Sequence, residues 1–238
     1  MHPFLERLFQ FLLPSQCLCC ESYLEEGQEK ICPDCLSKIR WIAPPFCAIC
    51  GAPFVSTEVD CHPCGACVTK KKYFTMARAL GHYEGPLQEA IHRWKYKGKV
   101  GLSPVFGEWM AERLPHYWDP KCVDLILPVP LHQQRLRQRG FNQTLLLVRE
   151  VSRRTGIPYR MNVLQKKRPT LPQVQLSGAE REKGVRKSFH VLKGEELEGK
   201  TILLVDDVYT TGATVNECSK VLLAAGAARI DVFTLTHA

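Results

Sequence analysis

No apolar run in this 238-residue chain reaches the roughly 18 residues that a bilayer-spanning helix requires. The nearest candidate, Phe4–Leu13, is interrupted by Glu6, Arg7 and Gln10 and lacks the basic flank and cleavage site of a secretory leader. It reads as a short amphipathic lead-in helix, and the expected location is the cytoplasm. Cysteine is scarce after Cys67, where only Cys122 and Cys218 remain. Acid is scarce between residues 128 and 193, where three Asp/Glu stand against fifteen Lys/Arg. A low apolar content, the mark of a chain too polar to pack, is missing too: 45% of the residues are hydrophobic, which excludes disorder as the main state.

What is present is unevenly placed. Ten of the twelve cysteines fall between Cys17 and Cys67, as closely spaced pairs rather than as a scatter over the whole length. Without a secretion signal, such pairs bind metal more often than they cross-link. A CxxC turn presents two sulfurs from one knuckle, and two knuckles supply the four thiolates that zinc favours. Cys17 and Cys20 with Cys32 and Cys35 fit this spacing, and Cys47 and Cys50 fit it with a further pair. That pair is either Cys61/Cys64 or Cys64/Cys67; the assignment taken is Cys64 and Cys67, with Cys61 spare and Cys19 an extra thiol in the first knuckle. About two structural zinc ions are expected, because so short a segment with little apolar periodicity needs a staple.

The net charge of +8 is equally local. Residues 1–75 sum to −1 and residues 128–193 to +12, so the basic stretch is expected to face an anion. Two domains are expected, a cysteine-rich one over residues 1–70 and an α/β one over 76–238. In the second, Ala77–Tyr83 predicts a strand and Pro86 opens a helix with Leu87, Ile91 and Trp94 on one face. A further helical pattern runs through Trp109 and Leu114. Val123–Leu127, Thr201–Val205 and Ile230–Leu235 predict buried strands, and Thr144–Arg154 and Thr214–Ala225 predict helices, the last stopped by Gly226. Lys70–Lys72 read as a solvated linker.

The chemistry-bearing stretch is Ile202–Thr214, where an apolar strand runs into Asp206 and Asp207 and then into a Thr/Gly loop that opens a helix. Such a loop gathers backbone N–H groups, hydroxyls and the positive helix end around one point, a site for a phosphate dianion. Paired carboxylates accept hydrogen bonds from vicinal hydroxyls or help to bind a metal. A second stretch, Leu127–His132 with Arg135, Arg137 and Arg139 and then Gly140–Gln143, reads as a loop offering three alternate arginines to a polyanion.

The thirteen residues Ile202–Thr214 resemble the 5-phosphoribosyl-1-pyrophosphate (PRPP) signature of type I phosphoribosyltransferases. The resemblance implies that Asp206 and Asp207 hold the ribose hydroxyls and that Thr210, Thr211, Gly212, Ala213 and Thr214 hold the 5′-phosphate. It also places a pyrophosphate loop at the arginine-rich stretch. Gln173, Leu176, Ser177, Arg181, Val185 and Phe189 resemble a mobile flap of amidophosphoribosyltransferase-like members, with Gly184 where that flap commonly has Asn. Arg135, Arg137, Arg139 and Arg181 would then meet pyrophosphate or DNA.

Taken in order, the cysteine knuckles, Lys95-Tyr96, PVPL with RxRGFNQ, and VDDVYTTGAT are similar to the ComF family of competence-associated proteins. This implies a parallel sheet flanked by helices of type I phosphoribosyltransferase kind, preceded by a zinc-ribbon-like domain. It further implies PRPP with Mg²⁺ as ligand, single-stranded DNA as partner, and a competence helicase or translocation machinery nearby. Phe141 and Tyr159 would be the stacking residues for DNA. Two other readings stay open: an active phosphoribosyltransferase acting on an amine or nucleobase, and a structural zinc-linked module with a vestigial ribose-phosphate site.

Overall fold

The computed structural model describes residues 15–25, 30–54, 60–167, 185, 187–192 and 194–238. The lead-in segment Phe4–Leu13 lies outside them. Strands β1 (Met76–His82), β2 (Leu125–Pro128), β5 (Thr201–Tyr209) and β6 (Arg229–His237) form one parallel sheet in the order β1-β6-β5-β2. Strands of a parallel sheet are covered on both faces and so read as unbroken apolar runs. Along β5, Ile202 and Leu204 enter one core while Leu203 and Val205 enter the other, the period-two alternation of an extended chain.

The first face is packed by α3 (Gly85–Tyr96), α4 (Leu102–Arg113) and α6 (Gln143–Thr155). Pro86 sits in the first turn of α3, where a missing N–H costs nothing, and Leu87, Ala90, Ile91 and Trp94 form its buried stripe. Trp94 Nε1 donates to Ser103 Oγ at 2.9 Å, so the buried indole keeps a partner. The second face is packed by α7 (Ala213–Ala224) through Val215, Cys218 and Leu222.

The cysteine-rich residues cover the outer edge of β1. Ile42 N–H donates to Leu80 O and His82 N–H to Arg40 O, and Ala77 N–H donates to Ile49 O at 2.7 Å. Trp41 adds an antiparallel bridge to Gly81. This cover removes an open strand edge that would otherwise invite pairing with another chain. Helices α1 (Pro33–Ser37) and α2 (Gly65–Thr69) are single turns that follow the second and fourth cysteine knuckles' first sulfurs.

Two elements differ from expectation. The arginine-rich stretch is a helix, α5 (Gln133–Arg139), closed by Gly140 at φ +77°, where a loop was expected. Outside the main sheet, β3 (Leu164–Lys166) pairs antiparallel with β4 (Phe189–Val191), carrying the chain into and out of the expected flap. Gln173, Leu176, Ser177, Arg181 and Gly184 lie outside the described residues. Val185 and Phe189 are buried core members that anchor its base.

Candidate functional site

The site forms because β5 outruns its neighbour. Pairing of β2 with β5 ends at Pro128 opposite Val205, and a last bond runs from Val129 N–H to Val205 O at 2.9 Å. Residues 206–209 of β5 continue alongside β6 alone. A cavity of about 430 Å³ occupies the gap at the carboxyl ends of the strands. In open parallel sheets this is where ligands bind, at the point where strand order reverses. Asp206, Asp207, Thr210, Thr211, Gly212, Ala213, Thr214, Arg135 and Arg139 all line it.

The acids sit within β5 rather than in a turn after it, so they flank the strand from opposite faces. On the α3 face, Asp207 pairs with Lys95 Nζ at 2.8 Å, with both side chains about one-seventh exposed (16% and 14%). On the α7 face, burial and the neighbouring Asp207 carboxylate push Asp206 up to about 7. The Asp207 N–H, which donates to Asp206 Oδ1 at 2.9 Å, and the charges of Lys95 and Lys166 work the other way. Lys166, on β3, lines the same cavity, and burial, with Arg135 nearby, lowers its pKa. Two acids and at least four cations therefore share one pocket, an arrangement that suits a ligand carrying both hydroxyls and phosphate.

The loop meets its requirement through glycine. Gly212 stands at φ +72° as the N-cap of α7, and it has no side chain with which to cap the first-turn N–H groups. Thr211 Oγ1 accepts from Ala213 N–H at 3.3 Å. A Cβ on Gly212 would fall within 2.5 Å of Tyr209 Cζ. Moving Tyr209 aside would disturb its stack on His237 at 4.8 Å and its edge-on contact with Phe74. Gly212→Ala is expected to lower stability by about 1–3 kcal/mol, read as a fall in melting temperature.

Of the expected anion contacts, Arg137 does not line the cavity. On a helix, residues two apart point nearly opposite ways while residues four apart are separated by roughly 40°. Arg135 and Arg139 thus share one face and Arg137 is exposed on the other. Arg181 lies outside the described residues. Lys166 went unassigned in the sequence, where one lysine among many cations carries no mark. Lys95 carries two signals in the sequence, its place off the apolar stripe of α3 and the Lys95-Tyr96 pair within the ComF-like order of motifs, but neither assigns it a partner. Phe141 and Tyr159 pack against the first core and are not free platforms. Tyr96, which lines the cavity with Tyr83 and Tyr209, is 61% exposed and has the Arg139 guanidinium 5.0 Å from its ring centre.

The cysteines gather as two tetrads, Cys17/Cys20/Cys32/Cys35 and Cys47/Cys50/Cys64/Cys67, each with its sulfurs within 4.8 Å of one another. None of the twelve cysteines is in a disulfide. Cys20 and Cys32 sulfurs are 3.7 Å apart, as are those of Cys50 and Cys64. A zinc tetrahedron with Zn–S of about 2.3 Å has edges of about 3.8 Å, so both tetrads fit the ion. Backbone N–H groups from Cys32 and Cys19 point at Cys17 Sγ, and those of Cys50 and Cys64 point at Cys47 Sγ, as thiolates require. Burial opposes ionisation of Cys47, yet these donors bring it down to about 6. Cys19 is pushed up to about 12, first by burial and then by Cys17, in keeping with a spare thiol. Cys61 is exposed and outside both tetrads.

Two known protein families match parts of the chain. Residues 8–68 match the double zinc ribbon domain and residues 142–237 the phosphoribosyl transferase domain. Competence protein F of Haemophilus influenzae is 30% identical over 94% of this chain and 97% of its own length. The DNA utilization protein YhgH of Escherichia coli is 29% identical over 94% of this chain and 97% of its own. Competence protein ComFC of Bacillus subtilis is 28% identical over 92% and 93%. Tandem cysteine tetrads, a parallel sheet with an acid-and-loop pocket, and end-to-end likeness to competence protein F agree on one assignment: the chain belongs to the ComF family.

Proposed function

We propose that this chain binds PRPP at the carboxyl edge of β5 and serves the uptake or processing of single-stranded DNA in natural transformation. The observation that carries the PRPP half is the convergence of Asp206, Asp207 and the Thr210–Thr214 loop on one cavity that also receives Lys95, Lys166, Arg135 and Arg139. In this reading the 5′-phosphate sits on the loop and the first-turn N–H groups of α7, and the ribose hydroxyls lie against the acids. Arg135 and Arg139 take the pyrophosphate. Mg²⁺ arrives with PRPP as part of the ligand and offsets pyrophosphate charge. The names of the relatives, together with the +12 stretch, support the DNA half. Competence translocation machinery is the expected setting.

Titration calorimetry with PRPP and Mg²⁺ tests the first half. Arg139→Gln is expected to weaken binding about tenfold, and Arg137→Gln to leave it within about twofold, because one lost charge-assisted contact costs about 1.5 kcal/mol or more. Equal effects at both positions would contradict the pocket assignment. Release of pyrophosphate on adding bases or amines would convert the reading from binding to turnover.

A further inference from the structure

Behind the phosphate loop lies a second cavity, of about 600 Å³, that borders Thr211–Ala213 from the other side. Its wall is rich in lysine: Lys70, Lys71, Lys72, Lys187 and Lys220 line it together with Tyr73. These lysines come from three separate stretches, the end of the cysteine-rich region, the return of the flap and the outer side of α7. Only Lys187 belongs to the basic stretch singled out by charge counting.

The cations are organised rather than scattered. Tyr73 N–H donates to Asn216 Oδ1 at 2.7 Å, and Asn216 Nδ2 donates to Lys71 O at 3.4 Å, so α7 fixes the path of the lysine run. The Tyr73 ring then carries two ammonium groups, Lys71 Nζ at 5.1 Å and Lys220 Nζ at 5.6 Å from its centre. Lys187 is held in the left-handed region at φ +56°, its N–H donating to Glu217 Oε1 at 2.8 Å. Glu217 is the acid that lines the groove, and this bond occupies one of its oxygens. Holding like charges together costs energy, and a non-glycine residue at positive φ adds to that cost. The arrangement makes sense if an anion offsets both.

We infer that this groove is a docking track for the phosphodiester backbone of single-stranded nucleic acid, running past the rear of the phosphate loop. A single phosphate needs two or three donors, whereas five lysines spread along a groove match a repeating charge. Lysine, a flexible point charge, suits a strand bound without sequence preference. The inference gives the DNA half of the proposed function a location and is independent of the PRPP half.

The test measures anisotropy of a fluorescein-labelled oligothymidylate on zinc-replete full-length protein across a salt series. The comparison is between wild type, the triple variant Lys71→Gln/Lys72→Gln/Lys220→Gln, and its Lys→Arg counterpart. Each lost phosphate contact reduces the log–log salt slope by about 0.7, so the Gln triple is expected to lose about 2 from the slope and at least tenfold in affinity. The Arg triple is expected to retain both, and zinc content and melting temperature on the same samples report that the fold is intact. Wild-type binding with an unchanged slope in the Gln triple would overturn the groove while leaving the DNA reading standing. No binding by wild type at low salt would overturn both. Displacement of the oligonucleotide by a polyglutamate peptide at equal charge concentration would overturn the nucleic-acid assignment.

Discussion

Serine in place of Cys47 is expected to remove one of two zinc ions and most of the stability of the β1 edge. Cys47 is fully buried, receives N–H groups from Cys50 and Cys64, and belongs to the core that contains Ala77. Its knuckle also holds β1, because Ile49 O accepts from Ala77 N–H at 2.7 Å. Without the ion, a buried thiol (Cys50), two half-buried ones (Cys64 and Cys67) and a buried hydroxyl are left in a segment with little apolar surface of its own. Apparent zinc affinities in such sites are on the order of 10 kcal/mol, much of it folding free energy, so a loss of about 4 kcal/mol or more is expected. Elemental analysis should read one zinc per chain and the melting temperature should fall by ten degrees or so. Cys61→Ser, at the exposed thiol outside both tetrads, should change neither reading.

The second large effect concerns pH. Asp206 is raised to about 7 by burial and by Asp207. A carboxyl whose folded pKa exceeds its unfolded value holds its proton in the folded state after the unfolded chain has lost it. Its contribution to stability is therefore full below the unfolded value near 4 and is lost as pH rises toward about 7. His190 and His237 are lowered by burial and act with the opposite sign, since acid must charge them in the unfolded chain first. Comparing wild type with Asp206→Asn isolates the acid. The ligand-free variant is expected to be the more stable protein at pH 8, by about 2 kcal/mol, with the gap closing toward pH 5. A gap that does not change with pH would show that the charge of Asp206 is not strained. The same variant should bind PRPP more weakly, the expected exchange of stability against function at a prearranged site.

The fold was legible wherever burial writes a period into the sequence. The run Ile202–Val205, apolar on both faces, and the Leu87, Ile91, Trp94 stripe each marked an element that the structure contains. The four-cysteine tetrads were legible for a different reason, since ligand spacing is set by the ion rather than by context. What escaped has equally physical causes. The strands Leu164–Lys166 and Phe189–Val191 span three residues each, too few to show an alternation, and their pairing closes over a long stretch of chain. The helix Gln133–Arg139 has no buried stripe, so nothing apolar betrayed its period, and its three arginines looked equivalent until the helix separated Arg137 from the pair. Of the lysine groove the sequence shows only the Lys70–Lys72 run, which reads as a linker until Lys220, distant in the chain, joins Lys71 on the Tyr73 ring.

The most direct measurement is a crystal structure of the zinc-replete protein grown with PRPP and Mg²⁺. The account predicts density for a 5′-phosphate against the Thr210–Thr214 amides, with the ribose hydroxyls on Asp206 and Asp207 and the Lys95 ion pair loosened. Density elsewhere on the surface, or a strand-end pocket filled only by water at saturating ligand, would contradict it.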